Sequence, residues 1–302
     1  MSPHISLSAE TLTYVMGLPI TNSLLTTWLV MLLLILMTYF VTRKITLIPG
    51  RMQSVVEILI DGLYSLFASI VGKDNIRQFF PILGSIFIFV LFANWSGLIP
   101  GVGTIGFFHE SETKHAFIQS ANASEVIAQE EHVEEAVETE LLEGEAVLET
   151  EHETATEEVA KAEHGGFTPL FRGPTADLNT TLALAIVAVV SFQYFGLKQL
   201  GFGYVHKFLN FSNPIYFFLG LLEIVSEFAK IISFAFRLFG NVFAGEVLLT
   251  VIAFLMPIIA PLPFLGLELF VGMIQALVFS MLSAVFLNTA VSMHGESEHA
   301  AH

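Results

Sequence analysis

The sequence predicts an all-α membrane protein with five membrane-crossing helices, including a long, strongly tilted C-terminal hairpin, plus one interfacial amphipathic helix. Of the 302 residues, 54% are hydrophobic and 13% are charged, whereas a soluble domain carries about 25% charged residues. The mean hydropathy is +0.72, and several apolar runs have the length of one bilayer crossing. A water-soluble fold of this size cannot bury so much apolar surface, so we expect lipid to surround it.

The first crossing is predicted at residues 21–44. Its central part, Leu24 to Val41, is an uncharged, leucine-rich run that ends at Arg43 and Lys44, which is the pattern of a single bilayer crossing. Residues 1–20 contain no Lys or Arg. The charged start of a signal peptide is therefore missing, and we expect an outer N-terminal segment followed by a retained helix.

Residues 50–72 follow a different pattern, which predicts a helix lying at the membrane surface. Ser54, Glu57, Asp61 and Ser65 recur at i, i+3, i+7 and i+11, with apolar residues around the other sides. A polar stripe on a mostly apolar helix favours the interface over a full crossing.

The second and third crossings are predicted at 78–100 and 177–198. Trp95 lies near the far end of the second crossing, where amphipathic rings prefer to sit. The third crossing follows a helix-start signal made of Pro174, Asp177 and Asn179.

A C-terminal hairpin with arms at 213–256 and 264–294 is predicted, followed by a frayed tail at 295–302. Its first arm would be about 66 Å long at ~1.5 Å per residue, against a hydrocarbon core of ~30 Å. The arm therefore breaks near Gly240 or Gly245, or it lies at a steep tilt. No polar turn interrupts it, which favours the tilted helix.

The distribution of Lys and Arg predicts the orientation. With the N-terminus outside and the C-terminus in the cytoplasm, the inner loops hold seven basic residues and the outer loops hold three. This asymmetry follows the positive-inside rule. The outer three are Lys114, Lys161 and Arg172.

The net charge of -16 comes from one local insert at 107–166, predicted to lie outside. Between Glu110 and Glu163 there are 17 acidic residues and 2 Lys, so 11 acids and 10 bases remain elsewhere. No basic patch is left to bind nucleic acid. The insert is expected to be a solvated, partly helical loop, although its histidines could be read as a metal or proton-collecting surface: His109, His115, His132, His152 and His164.

Six charged residues lie within the mostly apolar 88-residue run from Phe208 to Gly295, where each requires a partner, a water-filled cavity or a function. On a helix, several polar residues of the first arm form one stripe with Phe234, at alternating steps of four and three. Either Glu223 or Glu227 can pair with Lys230 at helical spacing, which offers a purely structural explanation for those three. The stripe comprises Glu223, Glu227, Lys230, Phe234, Arg237 and Asn241.

Arg237 differs from the other charges because it has no acidic partner on its own helix. Glu246 is nine residues further on, about 180° around the helix and ~13 Å along it. A guanidinium that is always protonated therefore implies an acid supplied by another element. The alternative is an arginine that snorkels to an interface, but Arg237 lies near the middle of its arm.

Glu246, Glu268 and Gln275 form a second set of polar residues on the hairpin. Glu268 and Gln275 are seven residues apart and nearly superposed on the second arm. Carboxylates in a poorly hydrated site can take up and release protons. One interpretation is therefore that these residues form a chain of protonatable groups. Buried acids that serve packing alone are the other.

Several motifs together resemble subunit a of F-type ATP synthases. The most specific is Phe236 to Asn241, which reads FRLFGN and is followed by Ala244-Gly245-Glu246. The resemblance covers nearly all of the chain outside about 107–166. Supporting matches are Phe92 to Trp95, Gly97 to Pro100, Pro174 to Asn179, Leu222-Glu223 and Gln275.

The resemblance implies a stator subunit of a rotary ATP synthase, with Arg237 and the tilted hairpin facing the carboxylates of a c-ring. It further implies subunit b or a peripheral stalk as a partner, other synthase subunits, and a bacterial plasma membrane. No cofactor, metal or bond-making chemistry is expected in this chain. The implied outer half-channel consists of Glu246, Glu268, Asn241, Gln275, Asp177 and Asn179, and the inner one of Glu223 and Ser226.

Two alternatives remain beside the stator interpretation. A self-sufficient secondary transporter or antiporter also places charges on interrupted helices at mid-membrane, but it predicts inverted repeats and a substrate pocket. A passive membrane anchor leaves Arg237 unexplained.

Overall fold

The structure is a computed structural model that describes residues 9–292 except 16, 44–45, 47–49, 109–166, 202, 205–213 and 257–258. The predicted helical membrane fold is confirmed in these residues, since long apolar helices dominate. Nearly all of the acidic insert, with its histidines, and the tail at 295–302 lie outside the described residues. The helices are α1 (Asn22–Thr42), α2 (Arg51–Val71), α3 (Ile76–Ser96), α4 (Leu178–Leu200), α5 (Pro214–Leu255) and α6 (Pro261–Ser292).

By length and composition, all six of these helices could cross a membrane, including α2. Helix α2 buries Leu63, Phe67 and Val71 against the rest of the fold and leaves Glu57 and Asp61 exposed. The carboxylates thus lie away from the packed face, as in an amphipathic helix. An interfacial position for α2, and with it five crossings, stays a prediction.

Short strands are present that the sequence analysis missed. Strand β1 (Thr11–Val15) pairs antiparallel with β2 (Leu18–Thr21) inside the segment predicted as a simple outer extension. Gly17 lies between them with a φ of 84°, a conformation that glycine adopts without strain. The hairpin delivers the chain to Thr21, whose hydroxyl caps α1 by accepting from the Leu24 N–H.

Residues 104–170 form a second compact unit. Its described part is a pair of antiparallel strands, β4 (Gly106–Phe108) and β5 (Phe167–Pro169), at the two ends of the acidic insert. Another short strand, β3 (Pro100–Gly103), precedes this unit. These segments of three or four residues are too short to show a period of two in the sequence, so only the pairing identifies them.

The core of the helical unit lies where α3, α4, α5 and α6 meet. Phe79, Leu83 and Phe279 are fully buried there. An aromatic cluster joins α5 to α6, with the ring centres of Phe234 and Phe279 4.7 Å apart and those of Phe234 and Phe286 5.7 Å apart. These edge-to-face contacts stabilise the packing beyond the area they bury.

Helix α5 is continuous over 42 residues and passes through Gly240 and Gly245 without a break. Its length is about 63 Å at ~1.5 Å per residue. The steep tilt of the hairpin in a bilayer remains a prediction from this length.

Helix α6 is tied to α3 by hydrogen bonds from side chains to its backbone. The Asn94 Nδ2 donates to the Gly272 carbonyl over 2.9 Å, and the Trp95 Nε1 donates to the Leu269 carbonyl over 3.0 Å. These two carbonyls lie on the stretch of α6 between Glu268 and Gln275. The bonds therefore fix the rotation of α6 about its own axis along the stretch that carries Glu268 and Gln275.

Candidate functional site

Arg237 lies on α5 and its side chain is exposed, whereas the next residue, Leu238, is fully buried. In the described part of the chain, Arg237 makes no hydrogen bond and no ion pair. A permanently charged guanidinium is therefore presented outward from the helical core.

A polar cluster lies on α5 toward its N-terminal end. The Lys230 Nζ is 2.7 Å from the Glu227 Oε1, so the sequence alternative of an ion pair at helical spacing is realised with Glu227. The same ammonium lies 5.0 Å from the centre of the Phe286 ring, a cation-π contact. Glu223 is half-buried one turn earlier, and Ser226 is exposed.

Tyr204 belongs to this cluster, and sequence reasoning did not identify it. Its ring lies against Gly196, and its hydroxyl donates to the Gln193 Oε1 over 2.6 Å. Burial, helped by the negative charges of Glu227 and Glu223, raises the pKa of Tyr204 to about 12. Tyr204 is therefore a neutral hydrogen-bond donor at any physiological pH.

A second polar cluster lies further along α5. The Asn241 Nδ2 donates to the Gln275 Oε1 over 2.6 Å, which links α5 to α6. Gln275 is 4% exposed. The structure thus brings together two of the residues assigned to the outer half-channel.

The Glu268 carboxylate of α6 packs against α5 at Gly245, where there is no side chain. A Cβ at Gly245 would overlap the carboxylate of Glu268, which occupies that space. Glu246 is the next residue on α5. The Glu268 carboxylate of α6 therefore lies against the residue that precedes Glu246 on α5, a contact between helices that no pattern in the sequence requires.

Arg172 is the second functional candidate that the sequence analysis missed, having been counted there only as an outer-loop charge. It is 6% exposed, and its Nη2 lies 3.9 Å from the Glu246 Oε2. Glu246 itself is part-exposed, with 45% of its side chain accessible. The burial of Arg172 could have been suspected only from its position next to a helix-start signal.

Asp177 and Asn179 lie at the start of α4, where a 3-10 turn (Pro174–Ala176) leads into the helix. Asp177 caps α4 by accepting from the Asn179 N–H, and it also accepts from the Ser23 Oγ of α1 over 2.8 Å. Asp177 is 5% exposed, and the Asn179 side chain is exposed. The described polar contacts of this pair run to α1 and to the α4 backbone.

An apolar layer separates the two polar clusters of α5. Phe234, Leu238 and Phe279 are each 2% exposed or less. Lys230 and Asn241 lie on either side of this layer, about 16 Å apart along α5 at ~1.5 Å per residue. Two buried hydroxyls lie on α6 next to this layer, those of Ser280 and Ser283, and they donate to carbonyls of their own helix. The described hydrogen bonds of these hydroxyls therefore do not join the two clusters.

Two comparisons with known proteins agree on one family. The family model of the ATP synthase A chain matches residues 24–288. The ATP synthase subunit a of Gloeobacter violaceus is 33% identical over 275 residues, which cover 91% of this chain and 85% of that protein.

Proposed function

The chain belongs to the ATP synthase A chain family, subunit a of the membrane sector, and from this we propose that it carries two offset half-channels which bring protons to and from a c-ring. It is an integral membrane protein of ATP synthesis and proton transport.

The proposal rests chiefly on the surroundings of the Arg237 side chain. Its charge is exposed and has no hydrogen-bond or ion-pair partner in the described chain. In contrast, Lys230 and Arg172 each face a carboxylate. A charge in the hydrocarbon region is costly unless it is paired or hydrated. An acidic partner on another subunit satisfies Arg237, and c-ring carboxylates have the required charge.

The separated polar clusters support two half-channels that do not meet inside this chain. We assign Glu246, Glu268, Asn241 and Gln275 to the outer half-channel, with Asp177 and Asn179 at its mouth. Glu223 and Ser226 are assigned to the inner one. The apolar layer of Phe234, Leu238 and Phe279 supports this division because it offers no protonatable group.

The proposed transport has two proton transfers. A proton from the outer half-channel neutralises a c-ring carboxylate, which then rotates into lipid. A carboxylate that returns from its circuit releases its proton to the inner half-channel and is attracted by Arg237. The fixed positive charge repels protons and so prevents a direct path between the half-channels. Each charge that crosses 100 mV supplies ~2.3 kcal/mol, so several protons are needed per ATP.

The proposed assembly contains the c-ring, subunit b or a peripheral stalk, and the other synthase subunits. We place the N-terminus outside and the C-terminus in the cytoplasm of a bacterial plasma membrane. The chain itself forms no covalent bond in this scheme and needs no cofactor.

The test is Arg237→Ala in the assembled synthase. We expect proton-driven ATP synthesis in membrane vesicles to fall to background while the complex still assembles, because the guanidinium is exposed and makes no hydrogen bond or ion pair with the residues that the structure describes. Arg77→Ala is the matched control, since Arg77 is also an exposed arginine but lies at the start of α3. It should retain wild-type synthesis. Normal synthesis by the Arg237→Ala complex would contradict the proposal.

A second measurement distinguishes a stator from a self-sufficient transporter. The purified chain in liposomes, without the other subunits, should not dissipate a proton gradient, because the c-ring completes the path. Sustained ion movement by the chain alone would favour the transporter interpretation.

A further inference from the structure

Arg172 is a buried cation that the proposed half-channels do not yet use. In the sequence it follows β5 and precedes the 3-10 turn, and its side chain is 7% exposed. A guanidinium cannot lose its charge in a protein, so its surroundings must accommodate a permanent positive charge. Its Nη2 is 3.9 Å from the Glu246 Oε2 on α5.

The backbone around Arg172 is held by helices other than α5. The Arg172 N–H donates to the Thr26 Oγ1 of α1 over 3.3 Å. The neighbouring Gly173 lies so close to Gly97 that a Cβ on either would meet the other's Cα at 3.4 Å. Five residues further on, Asp177 accepts from the Ser23 Oγ of α1. The position of the Arg172 backbone is thus set by α1 and by the end of α3.

The Glu246 side chain has conformational freedom, which the fixed charge of Arg172 can restrict. Its side chain is 45% exposed, and a glutamate with that much exposure can adopt several rotamers. The carboxylate of Glu268 lies over the adjacent Gly245. A fixed cation beside Glu246 therefore selects the rotamers that keep its carboxylate near the segment that holds Arg172.

We propose that Arg172 is a positioning residue for proton entry, which holds the Glu246 carboxylate of the outer half-channel close to the segment between β5 and α4. This inference rests on the function proposed above. Arg172 acts through Glu246 and exchanges no proton itself, because its own charge is permanent.

The experiment compares Arg172→Gln with Arg172→Lys in the assembled synthase. ATP-driven proton pumping is measured in membrane vesicles and normalised to the amount of assembled complex. Arg172→Gln should lower pumping about tenfold, a size typical of coupling between contacting side chains. Arg172→Lys should restore at least about half of the wild-type rate, because it keeps the charge. Arg77→Gln, which removes an exposed arginine elsewhere, should have no effect.

A double variant distinguishes a role of Arg172 in positioning Glu246 from a purely structural role. If Arg172 acts through Glu246, the double variant Arg172→Gln/Glu246→Gln should pump within about twofold of Glu246→Gln alone, since the coupling partner is already gone. Multiplied defects in the double variant would overturn the proposal. So would normal pumping by Arg172→Gln, or an Arg172→Lys complex as defective as Arg172→Gln.

The outcome also separates this inference from the function on which it rests. Loss of transport in Arg237→Ala together with normal transport in Arg172→Gln would overturn only the role of Arg172. Normal transport in Arg237→Ala would overturn the proposed function itself.

Discussion

Gly245 shows how one missing side chain shapes the polar cluster that contains Asn241, Gln275 and Glu268. The space where its Cβ would lie is filled by the carboxylate of Glu268 from the facing helix. Glycine is otherwise unfavourable inside a helix by roughly 0.5–1 kcal/mol relative to alanine. Its presence in the middle of α5 is explained by this close approach of the two helices.

Gly245→Ala is therefore expected to impair transport while leaving the helix intact. The new methyl group must displace the Glu268 carboxylate, which moves a proposed proton carrier away from its place against α5. ATP synthesis in vesicles should fall clearly below that of a matched control, Gly62→Ala. Gly62 lies inside α2 with nothing within 4 Å of its Cβ position. Equal rates for the two variants would show that the position of Glu268 is unimportant.

Tyr204→Phe tests how much the Tyr204 hydroxyl contributes to the polar cluster around Glu227 and Lys230. It removes the hydrogen bond to Gln193, which contributes about 1 kcal/mol to the free energy of unfolding. Thermal unfolding of the purified complex at neutral pH measures this loss. An unchanged midpoint would show that the hydroxyl gains nothing from its buried position.

The raised pKa of Tyr204 also fixes the sign of a pH effect. The folded state holds the phenol proton more tightly, up to a pKa of about 12 against an ordinary value of 10.0. The stability that this provides is complete below about pH 10 and is lost as the pH rises through about 12. The difference in stability between wild type and Tyr204→Phe should therefore shrink over that alkaline range. Below it, the pH dependence of transport should be the same in both.

At the scale of whole elements, α6 is positioned by α3 through Asn94 and Trp95. Both side chains donate to carbonyls of α6, and Asn288 at the other end donates to the Ile70 carbonyl of α2 over 3.2 Å. Lipid tails are as apolar as the helix surface, so helices in lipid associate through close packing and hydrogen bonds and not through the hydrophobic effect. The polar contacts to the backbone therefore add to the apolar packing that orients α6.

Asn94→Ala should destabilise the packing of α6 by about 1 kcal/mol, the usual contribution of an interhelical hydrogen bond in a membrane. Gln78→Ala, an exposed amide on the same helix, serves as its control. Thermal unfolding of the complex in detergent compares the two. If both variants unfold at the wild-type temperature, the bond to Gly272 does not hold α6 in place.

At the scale of the whole molecule, the apolar layer between the two polar clusters is the feature that a proton-tight stator requires. Phe234 and Phe279 from α5 and α6 meet edge to face, with Phe192 of α4 beside them. A small apolar void stays dry, whereas a polar one admits water. The chemistry of this layer therefore decides whether the clusters remain separate.

Phe279→Ser is expected to open a proton leak across this layer. It leaves a cavity that carries a hydroxyl and so can hold water. Proton conductance of vesicles that contain the complex, measured without ATP, should rise above the wild-type level. Phe40→Ser, at a site on α1 that is 66% exposed, should not raise it. A Phe279→Ser complex that stays proton-tight would place the barrier elsewhere, at Arg237 alone.

The sequence by itself determined the class of fold and drew attention to Arg237. Both inferences rest on transfer from water to lipid, which acts on each segment separately. An apolar run of sufficient length must become a helix in a bilayer because its backbone groups have no other partners. A charge within such a run is rare enough to indicate function without any knowledge of packing.

Only the tertiary structure decided which side chains meet. Glu246 pairs with a residue 74 positions earlier, Arg172, and Tyr204 reaches Gln193 and the field of Glu227 across a turn. Helical periodicity relates residues within one helix, whereas contacts between helices depend on how their surfaces fit. The partners of the buried charges were therefore decided by packing.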